Sequence, residues 1–390
     1  MRRPRRVILA TALLTCIALP RTTPARSWRV EQDGTGAFTT IQPAVDAAAS
    51  GDTILIGPGR YQDMQSVVIG GYNTQIVVHS LPEKSLTYIG AGADRVTIGP
   101  EAYCPISYGP CGIFHSGRQR IVVRDIEFIN LYMGISSYFD VEVEDCTFTG
   151  NNAGVSLCAS TGFIDGSINN CLFDDGQDLH GGIVVWSGGN VIVDGCVFRD
   201  ADFSFNGTLN AQVRNCEIYG RAGGFYHSNG EFVNNTVELA TSPGATAVYI
   251  TDACQVAIVG NEISGGWYNI CASGTNVTID LVDNILLGAK DFTIKCTSYA
   301  SISGHGNHIL LGDGHFAVRL FAYGNAHPAS VDLRNNYWGT DDPEQIAAWI
   351  MDGNDDPFVD MVVDYLPFSD VPLPAEATTW SDLKALYKGR

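Results

Sequence analysis

The 390-residue chain lacks long amphipathic helices; short apolar runs alternate with Gly, Asn and Asp from end to end. That excludes a helix bundle, which needs apolar residues at three- and four-residue spacing over several turns. Basic residues are scarce: 23 Lys and Arg stand against 42 Asp and Glu, a formal charge of −19. Nucleic acid is therefore excluded as a partner, because its phosphates need a basic surface. Long apolar runs are missing apart from Val7 to Leu19, which is too short and poorly flanked to span a bilayer. No P-loop, dinucleotide fingerprint, HExxH or nucleophile elbow occurs.

What is present begins with export. MRRPRR, the apolar run and the small-residue site Ala25-Arg-Ser27 predict a secretory signal over residues 1–27. The expected location is secreted, at the cell surface or periplasmic. Cleavage removes six arginines and leaves 17 bases against 42 acids, or −25. Such a chain disfavours polyanionic sugars unless calcium bridges them or a local basic groove exists. Neutral or esterified polysaccharide is easier to accommodate.

The body of the chain repeats. A small or polar residue, then usually Cys or Asn, then two further positions ending apolar, recurs as DIEF (Asp125), DCTF (Asp145), NCLF (Asn170), GCVF (Gly195) and NCEI (Asn215). It continues as NNTV (Asn234), GNEI (Gly260), DNIL (Asp283), GNHI (Gly306) and NNYW (Asn335). Short strands recurring at so close a period predict a parallel β-solenoid, each coil stacked on the last. The second repeat position holds Cys146, Cys171, Cys196 and Cys216, then Asn235, Asn261, Asn284, Asn307 and Asn336. In a parallel stack like residues lie above one another, so these predict an interior column of thiols and amides rather than zinc ligands or disulfides. Cys158, Cys271 and Cys296 share another register and predict a second stack, with a Cys271–Cys296 bridge left open. Cys104 and Cys111 bracket the loop CPISYGPC and are the expected disulfide.

Both ends carry closing signals. In the cap, residues 33–63, Thr40 is placed to cap a short helix with Ile41, Ala44, Val45 and Ala48 on one face; Gly51 stops it and strand Thr53–Ile56 follows. Near the other end, Thr340 or Asp341 is placed to cap a helix running to Gly353, within a closing segment 335–370. Residues 371–390 read as a Pro-marked linker and a short amphipathic tail. A helix over an open solenoid end hides unpaired strand edges.

With these motifs in place, residues 28–370 resemble right-handed parallel β-helix proteins of the pectate-lyase-like superfamily. The resemblance implies an all-β, single-stranded right-handed solenoid of about ten or more coils with an N-terminal capping helix. DGTGAFTTIQPAVDAA and GPGRYQD resemble the N-terminal signature of pectin methylesterases and many exported β-helix proteins. CLFDDGQDL resembles the C-x-F-x-G-x-Q-D-T-L segment of the esterases, and DADFSFNGTLNAQVRNCEIYGR their VDFIFG…QNCDIYAR coil. The resemblance thereby implies Asp178 as general acid and base, Asp202 as nucleophile and Gln177 as oxyanion donor. Two carboxylates on stacked coils would push their pKa values apart, as that division of labour requires. The set is incomplete: an earlier oxyanion glutamine and a downstream Gly-Arg-Pro-Trp have no counterpart here.

Other chemistry is less organised. A calcium-dependent lyase needs acids plus an Arg or Lys, and His227, Lys295 and Arg319 form no recognisable cluster with Asp174, Asp175 and Asp178. DGNDDP (352–357), with Asp360 and Asp364, lacks the spacing of a known calcium loop. No metal site and no cofactor are expected, calcium being the one ion the acids leave open. Trp186, Tyr226, Trp267, Tyr268 and Phe321 fall near corresponding loops of the coils, and rings along a groove suit the apolar faces of sugars. The expectation is an exported protein that recognises, and in one reading processes, an extracellular polysaccharide as an esterase or lyase. The competing expectation is a non-catalytic, adhesin-like surface solenoid.

Overall fold

A computed structural model describes residues 24–370, except 70, 82, 104–108, 159–161, 175–180, 222, 241–243, 315, 323–325 and 327. The expected tail, 371–390, and positions 1–23 of the expected signal lie outside the described residues. The chain winds as a parallel β-solenoid with three strand stacks. The first runs from Tyr72–Ser80 and Cys111–His115 through Phe316–Phe321 to Ile350–Met351. A second runs from Ser27–Val30 to Ser330–Asp332, and the two join where the long strands Ile183–Asp194 and Phe203–Arg214 bend from one to the other. The third stack is a separate sheet of 11 short strands, from Gly59–Tyr61 to His308–Ile309.

The repeat now has a physical reason at each position. Its first residue opens the corner between the second and third stacks with a left-handed backbone: φ is 57° at Asp125, 52° at Asn170, 63° at Gly195, 55° at Asn215 and 59° at Asn335. Only Gly, Asn and Asp adopt that region readily, which is why these residues alternate there. The second residue turns inward. Cys146, Cys171, Cys196 and Cys216 are buried free thiols. From Cys216 onward an amide ladder takes over. Asn235 Oδ1 accepts from Cys216 N at 2.9 Å, and Asn261 Oδ1 accepts from Asn235 N at 2.8 Å. Asn284, Asn307 and Asn336 repeat the arrangement at 2.8–3.0 Å. Each amide nitrogen also donates to the next amide oxygen, at 3.0 Å from Asn235 to Asn261 and 2.9 Å in each later step. The ladder thus satisfies corner N–H groups that no strand partner reaches.

The last repeat position fills the centre. Phe128, Phe148, Phe173 and Phe198 stack with ring centroids 5.1, 4.9 and 4.9 Å apart and planes within 11° of parallel. Ile218, Val237, Ile263, Leu286 and Ile309 continue the column in register.

At the ends, the structure alters details. The first helix spans Ile41–Ala47 and buries Ile41, Ala44 and Val45, with Ala48 also buried. Thr40 stands at its N-cap, but the side chain makes no capping bond. The second helix is Pro343–Ala348, shorter than the expected run to Gly353, because Ile350–Met351 is recruited as a strand beside Val318–Arg319. Its cap is Asp342, beyond the expected Thr340 or Asp341, and Oδ1 accepts from Glu344 N at 2.9 Å. The second cysteine stack does not form, and Cys271 and Cys296 are both free thiols. Cys271 lies beside Tyr249 and Lys295, and Cys296 beside Ala272 and Leu320. Their one-residue offset sends Cys271 outward and Cys296 inward.

The ladder is testable. Asn284→Ala removes the acceptor of two Asn261 donors and the donor to Ile258 O. Urea unfolding is expected to show a loss of about 3 kcal/mol. A loss below about 1 kcal/mol would mean the amides do not hold the coils together.

Candidate functional site

The outward positions of the first stack make one continuous face. At the C-terminal end of its strands, parallel register places Cys158, Trp186, Asn206, Tyr226 and Thr251 side by side, one per coil. Ser273, Thr297 and Phe321 continue the row, with Thr297 donating to the Ser273 hydroxyl at 2.9 Å. Of the expected aromatic set, Trp186, Tyr226 and Phe321 therefore share one row, but not on successive coils. Trp186 and Tyr226 are two coils apart, about 9.5 Å at the strand spacing, with Asn206 between them. Trp186 is half exposed. Trp267 and Tyr268 sit at the opposite edge of the face, where each strand begins.

Two clusters result. In the first, Tyr226 folds back over Gly224: a Cβ there would lie 3.0 Å from the Tyr226 ring, so glycine makes the seat. Tyr249 meets the Tyr226 ring at 5.7 Å and 45°. Asp202 stands one residue before its strand, and its carbonyl accepts from Ile183 N at 2.9 Å. Burial pushes its carboxyl up to about 7, against the opposing pull of the Arg221 charge. Burial also raises the Tyr226 hydroxyl, with Tyr249 and then Asp202 adding to the effect. Asp202 and Tyr226 therefore share one electrostatic neighbourhood, and a carboxyl held near neutrality can both give and take a proton.

In the second cluster, Tyr268 stacks on Phe292 at 5.8 Å and 14°, and Phe292 meets Phe321 edge-on at 5.8 Å. Lys295 and Arg319 are register partners between these rings. Lys295 Nζ lies 4.7 Å from the Tyr268 centroid and 5.2 Å from that of Phe321; the Arg319 guanidinium lies 5.2 Å from Phe292 and 4.4 Å from Phe321. At the edge, Trp267 Nε1 donates to Asp291 at 3.0 Å, and Lys290 Nζ sits 5.0 Å from the Trp267 ring.

Sequence reading misses Tyr249 and Phe292, and it leaves Lys295 and Arg319 unclustered. The offset from Lys295 to Arg319 equals one coil, which is the signal the sequence offers. Gln177 and Asp178 lie outside the described residues, so their approach to Asp202 is not described. Cys104 lies outside them too; Cys111 is a buried free thiol donating to Ile113 O at 3.4 Å, with burial pushing its pKa up to about 12. Among the described residues no three His, Cys, Asp or Glu side chains converge to hold a metal ion. Asp352 of the acidic DGNDDP segment instead closes a turn, accepting from Asn354 N and Val363 N at 2.9 and 2.8 Å.

Comparison with known proteins agrees with this architecture. The family described as "Right handed beta helix region" matches residues 102–245 and 132–286. A probable pectinesterase from Arabidopsis thaliana is 29% identical over 131 residues, which are 33% of this chain and 36% of that protein. The chain thus spans about a third of that relative. Among solved structures, the catalytic domain of a GH87 α-1,3-glucanase in complex with tetrasaccharides is 13% identical, covers 90% of this chain and 70% of its own, and superposes with a TM-score of 0.51. The periplasmic alginate epimerase AlgG is 12% identical over 82% of this chain and 77% of its own, with a TM-score of 0.47. The repeat, the parallel register and the matched region agree on one fold, a right-handed parallel β-helix.

Proposed function

We propose that this protein binds an extracellular polysaccharide along the outer face of the first stack. The row Trp186–Asn206–Tyr226 carries the reading. The half-exposed Trp186 ring and the partly buried Tyr226 ring, at a two-coil interval with an amide between, offer stacking surface and a hydrogen-bonding group to an extended sugar chain. Thr251 and Ser273 continue it with hydroxyls. The glucanase that shares the fold holds tetrasaccharides, and the partial relative is a pectinesterase, which supports a glycan as the substrate class. Export, expected from the N-terminal signal, belongs to the same proposal.

Asp202 favours a catalytic version. A buried carboxyl with a pKa of about 7, beside Tyr226 and a basic group, suits acid–base or nucleophilic work on an ester or glycosidic link. Gln177 and Asp178, from the esterase-like segment, are the proposed companions.

Trp186→Ala and Tyr226→Ala are each expected to weaken binding about five-fold or more, on the order of 1 kcal/mol per ring. Affinity electrophoresis across plant and bacterial polysaccharides measures this; no binding to any polymer would sink the proposal. For catalysis, methanol release and reducing-end formation should fall at least a hundred-fold in Asp202→Asn. Activity that survives the substitution assigns the chemistry elsewhere.

The raised carboxyl also predicts a pH effect on stability. Because the folded pKa exceeds the ordinary value of 3.8, the buried carboxyl carries no penalty while protonated in both states. The penalty grows as pH rises from about 4 and is complete above about 7. Asp202→Asn should therefore gain thermal stability relative to the natural protein at pH 8 and lose that advantage toward pH 4. Equal differences at both pH values would show that the carboxyl titrates normally.

A further inference from the structure

The chain is strongly acidic, and it neutralises most of its described arginines close at hand. Arg120 and Arg124 meet Glu142, Arg124 also meets Glu144, Arg214 meets Asp194, Arg199 meets Asp174 and Arg334 meets Asp332. Lys295 and Arg319 are among the cations outside these pairs, and they differ from the others in lying together over aromatic rings. Neither has a carboxylate within ion-pair distance among the described residues, although 42 acids are available in the chain. They lie side by side on consecutive coils, both on the outer face, each held over two aromatic rings. Arg319 Nε is buried and makes no hydrogen bond. A buried donor without an acceptor is costly, and ligand sites are where such groups persist.

The surrounding groups fix the chemistry. Tyr268 and Phe321 present ring surface beside the two cations, and Phe292 packs against both rings. Ser273 adds a hydroxyl within one coil, held by a hydrogen bond from the buried Thr297. Asp291, at the edge of the cluster, is engaged by the Trp267 indole at 3.0 Å. Ring faces hold the cationic side chains without neutralising them, so the positive charge stays available. Arg offers a planar fork and Lys a point charge, a pairing suited to one anionic group shared between them.

We infer that this end of the face is a subsite for an anionic substituent of the glycan, a carboxylate or sulfate gripped by Lys295 and Arg319 while the sugar ring packs on Tyr268 and Phe321. The inference rests on the polysaccharide reading above and narrows it. It supplies the local basic groove that an acidic chain needs before a charged polymer can approach.

The test uses the full chain and its Lys295→Gln, Arg319→Gln and double variants, with circular dichroism to confirm folding. Binding is measured against a polyuronate, the same polymer methyl-esterified, a sulfated glucan and a neutral α-glucan, each at low and at high salt. The natural protein is expected to prefer a charged polymer over its uncharged counterpart at least ten-fold at low salt. The double variant should lose that preference and its salt dependence while retaining affinity for the uncharged polymer; Arg319→Lys should restore part of the preference. Polyuronate against sulfated glucan tells which anion is read. Binding to uncharged polymer alone, or a charge preference unaltered in the double variant, overturns the subsite and leaves the polysaccharide reading standing. Binding to none of the four overturns both.

Discussion

Every feature of this molecule depends on one constraint: each coil must present its backbone to the next in parallel register. A parallel strand has no hairpin to fix its partner, so register has to come from side chains that match one coil later. Here the match is made at the corner between the second and third stacks. A left-handed residue turns the chain, and the residue after it points inward to meet its counterpart above. Where that counterpart is an asparagine, its oxygen takes both the neighbouring backbone N–H and the neighbouring amide. The outer face inherits its order from this corner, because strands locked at one end are in register at the other.

That dependence explains how a surface row can be functional. Trp186, Asn206 and Tyr226 are each separated by a whole coil of chain but adjacent in space, and nothing local brings them together. The solenoid turns a spacing in sequence into a spacing along a groove. Lys295 and Arg319 obey the same rule. Their juxtaposition needs no salt bridge and no special loop, only a separation of one coil between strands that the ladder holds in register.

The fold was legible in the sequence because its grammar is short-range and repeated. The Asp/Asn/Gly position, the Cys or Asn after it and the apolar residue that follows recur coil after coil, and each reports a backbone requirement. The site was only partly legible. Face membership depends on where the strand begins its alternation, and Cys271 and Cys296 show the cost of a one-residue error. They look alike in sequence and both are buried, yet one shares the register of Lys295 on the outer side of the strand and the other packs in the central core. Likewise Lys295 and Arg319 read as scattered cations until the coil length between them is known. Asp202 could be placed on its coil from sequence, but its raised pKa could not, since burial is a property of the packed face.

The interior column changes material partway along. Up to Cys216 it is built of thiols, which donate weakly and accept weakly; from Asn235 onward it is built of amides that each join two coils by several bonds. A stack whose neighbours alone hold it together unravels where its joints are weakest. The solenoid is therefore a composite rod, with a compliant length followed by a stiff one. The Asp202 cluster lies at the junction, since Asp202 belongs to the coil that carries Cys216. Lys295 and Arg319 lie wholly within the stiff length. A polymer lying along the whole face would span both lengths, so breathing of the compliant coils would shift one end of its seat while the other stayed fixed.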